Sequence, residues 1–381
     1  MSVFVYFAVL GLVCTAWASS IDDLKVLLGL SAAEQGWLLL CGPLGNLVSF
    51  SFASTLLARI GARRALIGAG FAYLVSASAI GWSFHCRAPV VCWCVAIACM
   101  SGTGNIYNIA VNTVAGTVER RAGRTIMNSF HAVFSTLCFF GGIFALSANA
   151  AGMSVTFRFA VTLALAFAAH LFFMRRLPAD DAAAAAGDRR WHRPDRSLLA
   201  LGLAGLVVMG CEGAVGDWVG VFYREALGVD ERYVKLGFCA VTGLMATGRF
   251  FADRFINRFG AGPVFKTDCV LVSAGLAIAM TSPYCPLGGL GTLATATAGF
   301  AVTGLGISGL VPILYSKANR TKAMPAASAV TFVGSMGFLG YFMGPPLIGQ
   351  IAQSVNYSVA IGVFAVLILF CLPIDMDGRR S

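Results

Sequence analysis

Long apolar runs separated by short polar links fill nearly the whole chain. About twelve such runs can be drawn, over roughly 2–20, 34–57, 65–84, 90–118, 126–148, 155–174, 198–223, 234–252, 263–282, 288–315, 326–352 and 357–373. Each approaches the ~20 residues that an α-helix needs to cross the hydrocarbon of a bilayer. Hydrocarbon offers no partner to a backbone N–H or C=O, so each run must satisfy its own backbone as a helix. The pattern predicts an all-α membrane protein with twelve transmembrane helices.

One stretch breaks the pattern. Residues 175–196 are charged and carry Pro178, Pro194 and an alanine tract. They read as a linker, giving an N-terminal six-helix bundle over 1–174, a cytoplasmic linker over 175–197 and a C-terminal six-helix bundle over 198–381 with a short tail. The halves echo each other. Ala58-Arg-Ile-Gly-Ala62 returns as Asn257-Arg-Phe-Gly-Ala261, and Gly102-x-Gly104 returns as Gly304-x-Gly306. Similar pieces at a nearly constant offset, placed after equivalent runs, indicate an internal duplication. Two six-helix halves are the architecture of the major facilitator fold.

Composition agrees with the membrane class: 58% hydrophobic and 12% charged residues, with mean hydropathy +0.80, against roughly 25% charged in a soluble domain. The net charge of +10 would suit a nucleic-acid partner if it were clustered. Instead, with the N-terminus inside, most Lys and Arg fall on cytoplasmic links, Arg59, Arg63, Arg64, Arg120, Arg121, Arg249, Arg254 and Arg258 among them. This is the positive-inside asymmetry. It predicts that both termini are cytoplasmic, with the bilayer as the environment and no nucleic-acid partner. Ala16-Trp17-Ala18 resembles a signal-peptidase site, but no basic segment precedes it, so the run is read as a retained first helix. The 12 cysteines lie mostly within apolar runs. They read as packing residues rather than a metal site, and nothing calls for a cofactor.

Candidate chemistry begins with Glu212, inside the run 198–223. An ionised carboxylate at mid-membrane costs about 2.5 kcal/mol or more, which makes such a residue a functional candidate by default. Glu212 is read as binding a substrate donor or carrying a proton. Asp217 lies five residues on, about 140° around a helix, so the two acids do not share a face. Asp217 reads as structural, and Trp218 beside it as a substrate contact.

The run 90–118 carries Ser101, Asn105, Asn108, Asn112 and, at its inner end, Glu119, all within an arc of about 60°. Amides facing lipid would be costly. The stripe therefore either glues helices together or lines a water-filled cavity, with Asn105, Asn108 and Asn112 binding a polar solute. His131 changes charge near neutral pH. It is a packing residue or a proton relay with Glu212. Glu119 and Arg120 read as gating charges, and Gly344 with Pro345 as a packing face or hinge. No Walker loop, nucleophile elbow or zinc-protease motif is present.

Several stretches together resemble the fucose-permease-like group of bacterial major facilitator transporters, and its YbjJ-like inner-membrane branch. They are Trp17 to Lys25, Gly29 to Gly36, Gly104 to Asn112, Gly123 to His131, Glu212 to Trp218, Gly248 to Arg254 and Gly344 to Gly349. The resemblance implies a monomeric secondary transporter of a small polar solute rather than an enzyme, working by alternating access, with protons as candidate coupling ion. The loop after the second helix departs from the family pattern, with Ser54 and Ala58 where Gly and Asp are usual. The resemblance then shifts the inner gate to Asp253 and Arg254. The first run has no interior acid and helix 4 presents Asn105 and Asn108, so Glu212 becomes the remaining proton carrier. An intramembrane enzyme and a non-transporting sensor are the alternatives.

Overall fold

The computed structural model describes residues 2–122, 127–179, 194–286, 288–321, 326–374 and 376, apart from the side chains of Ser54, Arg120, Met127, Asn128 and residues 326–328. These residues form helices and turns only. Nine helical segments are long and apolar enough to cross a membrane among the described residues. Among the other long or apolar helices, one carries Arg249, Asp253, Arg254 and Arg258 in its second half, one contains Pro345 and Pro346, and one is short.

The helices fall into two compact units. The first holds α1 (Ser2–Ala18) and α2 (Ile21–Leu28), and later α4 (Cys41–Ile60), α5 (Ala62–Cys86), α6 (Val90–Ala122), α7 (Met127–Ala150) and α8 (Val155–Phe173). Between them, α3 (Ala32–Leu39) begins in the second unit, through residues 31–36. The second unit continues with α9 (Arg196–Glu225), α10 (Leu236–Phe259), α11 (Ala261–Thr281), α12 (Gly288–Asn319), α13 (Ala326–Ser354) and α14 (Tyr357–Leu367). Most of the expected linker, residues 180–193, lies outside the described residues.

Side-chain caps set several helix starts. Ser154 accepts from Phe157 N at 3.2 Å, Asp195 from Leu198 N at 2.8 Å and Asn356 from Val359 N at 2.8 Å. Each satisfies a first-turn N–H that has no partner within the helix. The repeated motif also has a repeated backbone. Gly61 joins α4 to α5 at φ 85° and ψ 151°, and Gly260 joins α10 to α11 at φ 90° and ψ 159°. That region is closed to residues with a Cβ, so both copies of the motif need glycine at the same place.

Between helices in lipid, packing contacts rather than water release supply the attraction, and small residues let backbones approach. A Cβ on Gly102 of α6 would lie 2.9 Å from the carbonyl oxygen of Gly45 in α4. Gly304 of α12 presses in the same way on the backbone of Val241 in α10. The second glycine pair of the repeat therefore also occupies equivalent helix crossings, each within its own unit.

Polar bridges pin the first unit at both depths. Tyr107 Oη donates to the Tyr6 carbonyl at 2.8 Å. Arg158 at the start of α8 pairs with Asp23 of α2 at 2.6 Å, with side-chain exposures of 5% and 14%. His170 is fully buried against Gly70, between the rings of Tyr6 and Phe71.

Candidate functional site

In the second unit Glu212 projects from the middle of α9 and pairs with Arg249 of α10. Arg249 Nη2 donates to Glu212 Oε1 at 3.2 Å, and the side chains are 19% and 20% exposed respectively. The sequence pattern places Arg249 in a cytoplasmic link. In the structure α10 continues to Phe259, so Arg249 belongs to the helix and faces its neighbour. The periodicity of α10 is readable, but its charges pull the apparent end of the apolar run back to residue 252. Arg249 falls inside that run, but which residue of another helix it faces is not readable from the run itself.

A carboxylate and a guanidinium brought together replace two isolated charges with one neutral couple. Even so, a pair this deep repays its desolvation only partly. The surroundings add polar but uncharged groups. Tyr315 of α12 reaches α9 one turn from Glu212, at Met209. Its hydroxyl donates weakly to the Met209 sulfur at 3.8 Å and faces Gly334 of α13. Gly337 of α13 makes room for Met209. Side chains of α10 and α12 and glycines of α13 thus pack against this part of α9.

The neighbouring residues of α9 behave differently. Trp218 is fully buried, stacked obliquely on Tyr357 at 6.2 Å between ring centroids, and its Nε1 has no hydrogen-bond partner among the described residues. Asp217 is half-buried. Arg224, about two turns further along, pairs with Glu231 beyond the end of the helix.

In the first unit the amide stripe of α6 is divided in its use. Asn105 Nδ2 donates to Ser49 Oγ of α4 at 2.8 Å, a bond between helices. Asn112 Nδ2 donates to both Asn108 Oδ1 and the Asn108 carbonyl at 2.8 Å, a bond along the helix, and Asn108 is exposed. Asn105 therefore helps hold α4 to α6, while Asn108 is exposed and accepts from the half-buried Asn112. Glu119 is half-buried near the end of α6, and the Arg120 side chain lies outside the described residues. His131 of α7 is exposed and meets Phe7 edge-on at 5.1 Å. It belongs to the first unit and Glu212 to the second.

Asp253 and Arg254 are exposed on the last turns of α10. Gly344 and Pro345 are buried in α13. A Cβ on Gly344 would meet only the Gly210 carbonyl oxygen, at 3.5 Å. Farther along α13, Gly349 packs on the Ala32 carbonyl of α3 and Gly36 on the Pro345 carbonyl, with Cβ approaches of 2.5 and 2.7 Å. Sequence reasoning passes over Asp268 of α11, which is 8% exposed. The signal was an acid inside the apolar run 263–282, the same kind that marks Glu212.

A partly buried ion pair between apolar helices gives the second unit a polar site in its helical interior. Residues 1–329 match the Major Facilitator Superfamily, and the chain belongs to that family. It is a membrane transporter with the fold of secondary-active carriers, and not an enzyme. An uncharacterised transporter of the same superfamily from Yersinia pestis is 28% identical over 370 residues, 95% of this chain and 91% of its own length. The fold is similar to that of a D-xylose–proton symporter, with TM-score 0.73 at 13% identity over 100% of this chain and 98% of the other. It is also similar to that of the nucleoside transporter NupG, studied as a D323A mutant, with TM-score 0.72 at 13% identity over 97% and 98%.

Proposed function

We propose that the chain carries a small, hydroxyl-rich or otherwise polar solute across the bacterial inner membrane by alternating access. In this reading the chain has twelve transmembrane helices in two six-helix bundles, 1–174 and 198–381, joined by the cytoplasmic linker 175–197, with both termini cytoplasmic. It works as a monomer of the fucose-permease-like and YbjJ-like kind. The Glu212–Arg249 pair carries the proposal. A site that must be polar yet nearly neutral in its resting form suits a solute that exchanges its own hydrogen bonds for those of the pair. The donor–acceptor amides of Asn108 and Asn112 support the same solute class, as do the pentose and nucleosides named for the structural neighbours. Asn105 in the first unit and Trp218 in the second position their neighbours rather than meet the solute, Asn105 through Ser49 and Trp218 from its enclosed place beside Tyr357. Asp217 has a structural role and Gly344 with Pro345 a hinge, while Glu119, Arg120, Asp253 and Arg254 act as gating charges.

Protons are the proposed driving ion, with Glu212 and His131 as carriers. The test is uptake of labelled solutes into proteoliposomes with and without an inward proton gradient, after a thermal-shift screen at two pH values has selected the solutes. Glu212→Gln is expected to abolish accumulation against a gradient. A Glu212→Gln protein that still concentrates solute sinks the coupling role. Asn108→Ala is expected to weaken the ligand-induced thermal shift at least tenfold in ligand concentration while leaving the unliganded midpoint within about 2 °C, as expected for removal of an exposed side chain.

A further inference from the structure

A second acid is buried in the second unit, and neither the ion pair nor the amide stripe uses it. Asp268 sits in the second turn of α11 with 8% exposure. Its Oδ2 is buried with no hydrogen-bond partner among the described residues. The carboxyl is pressed against α12. Gly309 lies directly on Oδ2, and a Cβ on Gly306 would come 2.7 Å from the Asp268 carbonyl oxygen.

Among the described residues, the titratable and charged groups around it offer no counter-charge. On α11, Lys266 is exposed and Cys269 is buried. The turn Ile368–Cys371 contributes Cys371, and α9 contributes Cys211, both uncharged thiols. From α12 the facing residues are glycines, and Lys317 lies two turns further along. The titratable residue of α14, Tyr357, stacks on Trp218, and Arg258, which precedes the α10–α11 turn, is exposed. An ionised carboxylate in this dry, unpaired position would lack both water and a cation, whereas the neutral acid fits without either.

We propose that Asp268 is a proton-binding site of this chain, occupied when α11 and α12 are packed as observed and vacated when they separate enough for water or a cation to reach Oδ2. The ligand is H+, taken up by the carboxylate and released to water, so no other reactant is needed. A route to the ion pair exists within the same unit. Ser308, next to Gly309 on α12, presses on Gly248 of α10, with Ser308 Cβ 2.7 Å from where a Cβ on Gly248 would stand. The following residue, Arg249, holds Glu212. A shift of α12 that uncovers Asp268 therefore also moves the seat of Arg249. This consequence, though not the proton itself, rests on the transport reading above.

Infrared difference spectroscopy of the full-length protein in lipid, scanned across pH, reads the proton directly. The wild type is expected to show the carbonyl stretch of an un-ionised carboxyl group that disappears at alkaline pH. Asp268→Asn should remove that band and Glu212→Gln should leave it. Should Asp268→Asn fail to fold, Gly309→Ala serves in its place. It keeps the acid but crowds Oδ2, and is expected to shift the band. A band unchanged in Asp268→Asn, or unmoved in a folded Gly309→Ala protein, overturns the proposal. Proteoliposome flux separates the two readings. The proton site predicts that Asp268→Asn loses proton-driven accumulation while retaining solute exchange, and retained accumulation overturns its link to transport. A wild type with the band but without flux of any solute defeats the transport reading instead.

Discussion

Glu212→Ala is expected to be among the most damaging single substitutions in the chain. It removes the carboxylate but leaves the Arg249 guanidinium, 19% exposed, among apolar helices. Breaking a fully buried ion pair from one side costs roughly 3–5 kcal/mol. With a fifth of each side chain still exposed, water screens part of that charge, and a loss near the lower end, about 3 kcal/mol, is expected. The readout is the midpoint of thermal unfolding in detergent, followed by size-exclusion chromatography. The double variant Glu212→Ala/Arg249→Ala is expected to recover most of the lost stability, because no charge remains without a partner, yet to stay inactive in uptake. A double variant as unstable as the sum of the singles would show that the two side chains do not interact in the folded protein.

The second large effect is steric. Gly340 of α13 lies against the Leu206 carbonyl of α9, and a Cβ there would stand 2.8 Å from Gly210 N. Both neighbours are backbone, so neither can rotate away. Gly340→Leu must separate α9 from α13, and overpacking of this kind costs about 1–3 kcal/mol or more. Folded protein recovered in detergent is expected to fall severalfold. Gly344→Ala provides the contrast, since its nearest contact is an ordinary 3.5 Å. It should fold normally. If it folds normally and transports slowly, the Gly344–Pro345 segment acts as a hinge; if it both folds and transports normally, the hinge role fails. Gly340→Leu protein as stable as wild type would show that the α9–α13 approach is not tight.

Several features were legible because they depend on local sequence. Apolar runs of membrane length specify helices wherever they occur, and each of the runs read from the chain contains a helix in the structure. The repeated motif was legible as sequence, and the structure adds that its two glycines, Gly61 and Gly260, share one backbone conformation. The charged second half of α10 was misread for the converse reason. Hydropathy reports whether a segment prefers lipid, not whether its charged residues have found partners. An arginine that completes a helix interior looks the same in sequence as one in a loop.

The same limit governs the site. Asn105, Asn108 and Asn112 share a face by helical periodicity alone, but periodicity does not say that Asn105 is spent on Ser49 while Asn108 stays open. Nor does it say that Trp218, two residues round the helix from Gly216, is wholly enclosed. Asp268 was readable as an acid in an apolar run, but its meaning came from Gly306 and Gly309 on another helix.

By itself, then, the sequence determined the membrane class, the helical secondary structure, the duplication and the presence of an acid at Glu212. These follow from hydrophobicity, backbone hydrogen bonding and glycine stereochemistry, each of which acts over a few residues. Only the tertiary structure decided that Arg249 is the partner of Glu212, 37 positions away, and that Asp268 Oδ2 has none among the described residues. Pairing and burial depend on which helix faces arrive together, and that is set by packing between distant segments, which no local pattern encodes.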